Sequence, residues 1–338
     1  MLTVIGEALI DEVVHGTQPP VPHVGGSPMN VAVGLARLGH PVQFLGRFGQ
    51  DSYGTLISAH LHENSVLVPL PPDHEATSIA RCTVDDDGAA SYAFELAWDL
   101  PGLAGKLDFL FEATTLLHAG SIATMLQPGS AQVLRTVLQA RPRATISYDP
   151  NCRPSIIADA AYARAQAEDF VRLADVVKAS DEDLAWLYPD LDPLTAARNW
   201  LSIGQGVVPD HGAAADGGGR GPAVVVVTRG AQGPWAVCAA GEAQVAVPMT
   251  AVVDTVGAGD SFMAALLSAL VDRELDGAQR RDSLHSLSAE DLRQLLRYAA
   301  AAAAITVSRA GANPPSREEL HTRIAAGNEK TGNEKRKP

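Results

Sequence analysis

Short apolar runs alternate along this chain with longer stretches of helical period. Leu2 to Ile5, Val42 to Leu45, Thr115 to His118, Thr145 to Tyr148, Val176 to Lys178 and Val224 to Val227 read as strands, and much of what lies between them as helix. Strands that alternate with helices of about ten or more residues predict a mostly parallel sheet covered on both faces, an α/β three-layer domain. Val224-Val225-Val226-Val227, apolar at every position, is expected at the centre of that sheet.

Two segments break the rhythm. Asp11 to Gly25, and Thr77 to Leu96 around the turn Asp85-Asp86-Asp87-Gly88, carry short-period alternation: Ile79, Arg81 and Thr83, then Tyr92, Phe94 and Leu96. Such strands do not easily join a parallel sheet. They are assigned to a small second sheet, with lid segments at about 11–25 and 76–98, lying over a ligand or against another subunit; an ordinary surface hairpin is the alternative. The main domain is expected over 1–326. A glycine- and alanine-rich insertion at 202–222 reads as a flexible loop, and the polar, aperiodic 327–338 as a disordered tail.

Composition narrows the function classes. The 338 residues are 46% hydrophobic and 19% charged, ordinary for a soluble enzyme, and the net charge of −13 disfavours nucleic acid as a partner. A phosphorylated ligand must then be held locally, by helix termini, a few arginines and a metal. Three cysteines, far apart and without metal-ligand spacing, suit reduced thiols. There is no basic leader and no apolar run of about 18 residues, so the expectation is a cytoplasmic protein without a membrane partner.

The chemistry concentrates in Asp254-Thr255-Val256-Gly257-Ala258-Gly259-Asp260. Phe262, Met263, Leu266, Leu267 and Leu270 follow at helical spacing, so Gly257 to Asp260 form a helix N-terminus. Its unpartnered N–H groups and the positive end of the dipole make an anion site. A carboxylate inside a phosphate cradle repels the ligand, unless it accepts a proton from a hydroxyl that attacks a phosphoryl group held there. The plainer alternative is that Asp260 only favours the dipole. A second helix start stands at Gly25-Gly26-Ser27-Pro28-Met29-Asn30, with Ser27 as the expected N-cap, Pro28 in the first turn and Gly39 closing the helix. The amide of Asn30 suits sugar hydroxyls, and Asp11 can converge on the same polyol.

Together and in this order, some 230 residues apart, these two motifs resemble the signatures of the ribokinase-like (pfkB) carbohydrate kinases. Further pieces are similar across about residues 1 to 322: Gly46 to Asp51 with Gly54, Asp149-Pro150-Asn151 with Arg153, Thr228-Arg229-Gly230 with Gly233, and Gly311-Ala312 before Pro314. The resemblance implies a ribokinase-like fold with a β lid. It implies Asp260 as base, the backbone of Gly257, Ala258 and Gly259 as anion hole, and Asp11, Gly25, Gly26 and Asn30 around the sugar. It places Thr228, Gly230, Gly233 and Gly311 about ATP, and Asp254 where some relatives bind potassium.

One departure matters. Where the family often has Asn-x-x-Glu near metal and phosphates, this chain has Ser180-Asp181-Glu182-Asp183. Ser180 then stands for the asparagine and Asp183 for the glutamate, a magnesium partner through water, unless the three acids merely enrich a helix start. The implied activity is an ATP- and magnesium-dependent sugar kinase. The motif at 25–30, Asp149 to Arg153 and Gly120-Ser121-Ile122-Ala123 most resemble the bacterial fructokinase branch, so fructose is the expected acceptor. Arg153, facing an acidic sugar group, would favour 2-keto-3-deoxygluconate, and ribose stays open. A non-catalytic sugar-binding regulator is the competing class, and a homodimer joined through the lid is the expected assembly.

Overall fold

The computed structural model describes residues 1–15, 19–84, 90–103, 107–203 and 220–334. In chain order the strands are β1 (Leu2–Ile5), β2 (Leu9–His15), β3 (Val21–Gly25), β4 (Val42–Leu45), β5 (Ile79–Val84), β6 (Ala90–Glu95), β7 (Leu116–Gly120), β8 (Thr145–Asp149), β9 (Val176–Ser180), β10 (Val224–Thr228), β11 (Trp235–Cys238) and β12 (Gly241–Gln244). The helices are α1 (Ser27–Arg37), α2 (Ser52–Glu63), α3 (Leu107–Phe111), α4 (Gly129–Ala140), α5 (Ala160–Leu173), α6 (Asp181–Leu187), α7 (Pro193–Ser202), α8 (Ala258–Val271), α9 (Arg281–His285), α10 (Ala289–Thr306) and α11 (Arg317–Glu334).

Eight strands form one sheet in the order β12-β11-β10-β9-β8-β7-β1-β4. From β10 to β4 every pairing is parallel, and β11 and β12 add an antiparallel hairpin at one edge. The parallel strands read as unbroken apolar runs because both faces are covered. Val224 and Val226 enter the core shared with α1, α8 and α10, whereas Val225 and Val227 enter the one shared with α4, α5, α6 and α7. Each large side chain so buried, such as Trp200 or Phe44, contributes on the order of 2 kcal/mol.

The carboxyl ends of β7 to β10 lie side by side. Gly120 pairs with Asp149, and Ser180 with Thr228. Ligands of open α/β sheets bind at this rim.

The second sheet runs β3-β2-β5-β6, with β2 and β5 parallel and the outer pairs antiparallel. Its register separates two sets of residues that look alike in the sequence. Ala80 faces Phe94 and Cys82 faces Tyr92, while Arg81 lies opposite Ala93 on the other side. On that other side buried Glu12 accepts Arg81 Nε at 2.6 Å and the hydroxyl of Tyr53 in α2, which ties the small sheet to the main body.

Several local expectations are corrected. Ser27 is not the cap of α1: Gly26 is, at φ +115°, where a Cβ would sit 2.6 Å from the Glu7 carbonyl oxygen. Gly39 does close the helix, its N–H donating to Ala36 O. α11 continues through the expected tail as far as Glu334, since Glu and Lys are good helix formers and elongation of an existing helix is easy. The turn 85–88, most of the 202–222 insertion and residues 335–338 lie outside the described residues.

α1 and α8, the helices that carry the two motifs, cross with Gly34 against Ala264; a Cβ on Gly34 would lie 2.6 Å from the Ala264 Cβ. Helix propensity alone favours Gly34→Ala by about 1 kcal/mol, but overpacking typically costs about 1–3 kcal/mol. A net loss of about 1 kcal/mol in urea denaturation is expected. Adding Ala264→Gly should recover part of it; an unchanged midpoint for Gly34→Ala would show that the crossing is loose.

Candidate active site

A cleft of about 850 Å³ opens between the rim of the large sheet and the inner face of the small one. Asp260 lies at its base. The third residue of α8 and only 9% exposed, it is placed by Gly257, which caps the helix in the left-handed conformation at φ +72°. The N–H of Ala258 turns back to Thr255 O at 3.2 Å, while the first turn of α8 presents Gly257, Ala258 and Gly259 to the cleft.

The start of α1 meets the start of α8 at this carboxylate. The Ser27 hydroxyl donates to Asp260 Oδ1 at 2.7 Å, and Asn30 Nδ2 donates to Oδ2 at 2.8 Å. This is why Ser27 caps nothing: its hydroxyl is engaged by a residue 233 positions away.

The remaining expected residues divide in two groups. Asp11, Gly26, Asn30, Arg153, Ser180, Asp183 and Thr228 line the cleft with the α8 start. Gly25, Gly230, Gly233, Asp254 and Gly311 are absent from its lining. Gly25 lies directly under the Asp11 carboxylate. Asp254 acts as a clasp: its oxygens accept Val256 N–H at 3.0 Å and Gly311 N–H at 2.8 Å, fastening the loop before α8 to the loop after α10. These backbone donors hold its carboxyl below the usual range.

Ser180 and Asp183 form a capping box at the start of α6. Ser180 Oγ accepts Asp183 N–H at 2.9 Å, Asp183 Oδ2 accepts Ser180 N–H, and Asp183 Oδ1 accepts Cys152 N–H, both at 2.8 Å. These residues therefore do start a helix. Arg153 is held by its own loop, Nη1 donating to Asn151 Oδ1 at 2.7 Å and to two carbonyls.

Two cleft residues escaped the sequence reading. Glu7, just past the end of β1, is 5% exposed, and its Oε2 accepts Ala123 N–H at 3.2 Å. Burial pushes its carboxyl up to about 7, against the opposing pull of the Ser121 hydroxyl and of Arg153. Lys178, in β9, sends its ammonium to Asp149 Oδ2 at 2.7 Å, with both side chains almost wholly buried. The available signals were an acid at a strand's carboxyl end and a lone cation inside an apolar strand.

A carboxylate set at a helix N-terminus, beside an anion cradle and amide and hydroxyl donors, can take a proton from a hydroxyl that attacks a phosphoryl group held there. The pfkB family carbohydrate kinase pattern matches residues 2–319, and this chain belongs to that family. It is 31% identical to a fructokinase of Rhizobium leguminosarum bv. trifolii over 304 residues, 87% of this chain and 86% of that protein. A fructokinase of Xylella fastidiosa, solved with bound ATP, superposes with a TM-score of 0.80 at 26% identity, covering 97% of this chain and 98% of the other. A Vibrio cholerae fructokinase double mutant with fructose, ADP and potassium ion bound gives 0.71 at 25% identity, over 95% and 97%. The protein is a carbohydrate kinase with the expected ribokinase-like fold. No helix among the described residues is long and apolar enough to cross a membrane.

Glu7 has a consequence for stability. A carboxyl raised from 4.5 to about 7 on folding is penalised when ionised, so its cost is absent below pH 4.5, grows between 4.5 and 7, and is full above. Over that span the cost is on the order of 3 kcal/mol. Glu7→Gln should flatten the denaturation midpoint against pH across this window and be the more stable form at pH 8; parallel profiles for both proteins would show that Glu7 does not titrate there.

Proposed function

We propose that the enzyme phosphorylates fructose at its primary 6-hydroxyl, giving fructose 6-phosphate. The observation that carries this reading is the Asp260 carboxylate at the α8 N-terminus, aligned by Ser27 and Asn30 from the other motif. The fructokinases among its relatives support the choice of sugar.

In this reading Asp11, Gly26 and Asn30 hold the sugar hydroxyls. Asp260 accepts the proton of the attacking hydroxyl, and the first turn of α8 stabilises the transferring charge. Thr228 lies beside the nucleotide, with Gly230, Gly233 and Gly311 shaping the loops around it. Asp11, on the cleft wall, is pushed upward by the protein around it while Arg153 and His23 pull down. Closure of the small sheet would exclude water from the reacting groups.

Magnesium fits as a companion of ATP. Both Asp183 oxygens already accept backbone N–H groups, which leaves lone pairs for water but no free carboxylate, and among the described residues no cluster of three or more His, Cys, Asp or Glu forms a cage. An ion carrying its own waters and the phosphates needs little more than that. When bound it would neutralise phosphate charge, with Asp183 contacting its water shell. A potassium ion beside Asp254 would strengthen a clasp that the Val256 and Gly311 N–H groups already make.

Arg153 in the lining is the observation that favours an acidic sugar, so the acceptor panel decides between readings. With ATP and magnesium, ADP release should be fastest with fructose, ahead of 2-keto-3-deoxygluconate, ribose, glucose and adenosine. A faster rate with another sugar changes the acceptor alone. Asp260→Ala should lose about 10²–10⁴ in turnover with fructose affinity nearly kept; near-normal turnover would remove Asp260 as base. Silence of the wild type on every sugar, potassium present, would favour the sugar-binding regulator.

The proposal extends to a homodimer joined through the small sheet. Tyr92, 62% exposed, stacks on Phe94 two residues along β6, the outermost strand of that sheet, where both also border the cleft. Light scattering at micromolar concentration should give twice the chain mass, and a monomer would remove the dimer without touching the chemistry.

A further inference from the structure

The cleft is acidic. Glu7, Asp11, Glu182, Asp183 and Asp260 are in its lining, and Arg153 and Lys178 are the only cations there among the described residues. Arg153 is bound back onto its own loop beside the sugar-side carboxylates Glu7 and Asp11, whose charge it offsets. Lys178 stands at the other end. It is 4% exposed, and the place a Cβ would occupy on Gly259 lies 3.2 Å from its Nζ, so the absence of a side chain at Gly259 lets the ammonium rest against the first turn of α8.

We propose that Lys178 is the cation that neutralises the transferring phosphoryl group over the anion hole, rather than a mere counter-ion for Asp149. This rests on the phosphoryl-transfer reading of Asp260 but not on the identity of the sugar. In the step, the acceptor oxygen forms its bond to the γ-phosphorus as the bond to the bridging oxygen breaks. ADP leaves with that electron pair and the hydroxyl proton goes to Asp260. Lys178 stays protonated throughout and changes no bond.

Two further observations fit. Asp149, Asp183 and Asp260 surround the ammonium: burial works to lower its pKa, but these carboxylates outweigh that and hold it above the ordinary lysine value, hence charged. The pair also carries spare charge capacity. An ammonium has three donors, and one is given to Asp149, leaving the face toward Gly259 for an anion.

A variant that removes both charges separates the two roles. Lys178→Met/Asp149→Asn removes the buried ion pair as a unit and leaves Asp183 and Asp260 to their own hydrogen-bond donors, so a pure counter-ion role predicts little change. The proposal predicts that the double variant melts close to the wild type and binds ADP within about threefold of it. It should bind β,γ-imido-ATP, which carries the extra phosphoryl, at least tenfold more weakly, and lose about 10²–10³ in turnover as when one anion-hole donor is removed. Calorimetry with the two nucleotides and magnesium reads the preference without any sugar.

An unchanged imido-ATP to ADP preference with turnover within threefold of the wild type would overturn the role of Lys178. Should the double variant not fold, Lys178→Arg gives the same reading: the retained cation keeps most of the imido-ATP preference, and an equal loss of both nucleotides contradicts the proposal. Wild-type protein that binds neither nucleotide would instead sink the kinase reading itself.

Discussion

The structure depends on a carboxylate whose two oxygens are held by donors from the opposite end of the chain. Ser27 and Asn30 reach Asp260 because α1 and α8 cross closely, and they cross closely because Gly34 faces Ala264. Hydrogen bonds to a charged group contribute about 1.5–3 kcal/mol each, comparable with a whole buried side chain. The contact that aligns this carboxylate thus also fastens two helices of one core layer. Each oxygen accepts one bond and keeps a lone pair, so a hydroxyl can donate to the carboxylate without displacing Ser27 or Asn30. In the proposed mechanism Asp260 meets the substrate in a fixed orientation, with little reorganisation left for the reaction.

Polarity divides the cleft. Glu7 and Asp11 share the field of Arg153 and suit the donor hydroxyls of a polyol, Lys178 rests against the glycine turn of α8, which suits phosphate, and Asn30 is bonded to Asp260 in that same turn. A chain of net charge −13 has no general attraction for a nucleotide. It needs donors and a cation placed at one point, and a helix N-terminus with a buried ammonium beside it supplies both without a basic surface. The sorting of two substrates within one cavity follows from which ends of which strands carry acids and which carry glycines.

How far this was legible can be read strand by strand. β1 and β4 match their apolar runs end to end, while β7, β8 and β9 continue past theirs, to Gly120, Asp149 and Ser180. Hydrophobic patterning stops where a strand turns polar, and these strands turn polar because their ends form the site. The same blindness hid Glu7 and reduced Lys178 to the last residue of a strand. Ser27 was misjudged for a related reason: local chemistry made it a cap, and a partner 233 residues distant took its hydroxyl. The edge hairpin β11–β12 was missed because two four-residue strands joined by a tight connection show little periodicity. The two motif helices were legible because cap, proline, glycine and apolar period all agree there.

Four of the places where the backbone departs from its easy conformations point the same way. Gly26, Ser121, Asn151 and Gly257 all have positive φ, and all four line the cleft. For Ser121 and Asn151, which carry side chains, the left-handed region costs on the order of 1 kcal/mol or more each. Packing on both faces of the sheet can offset that, since a single buried Phe or Trp contributes as much. What the strain achieves is direction. At Ser121 the chain leaves β7 so that the Ala123 N–H meets Glu7, and at Asn151 it leaves β8 so that Arg153 and the Cys152 N–H turn toward the cleft. A relaxed exit from either strand would carry those donors elsewhere, so the shape of this wall of the cleft is set by two residues at strand ends.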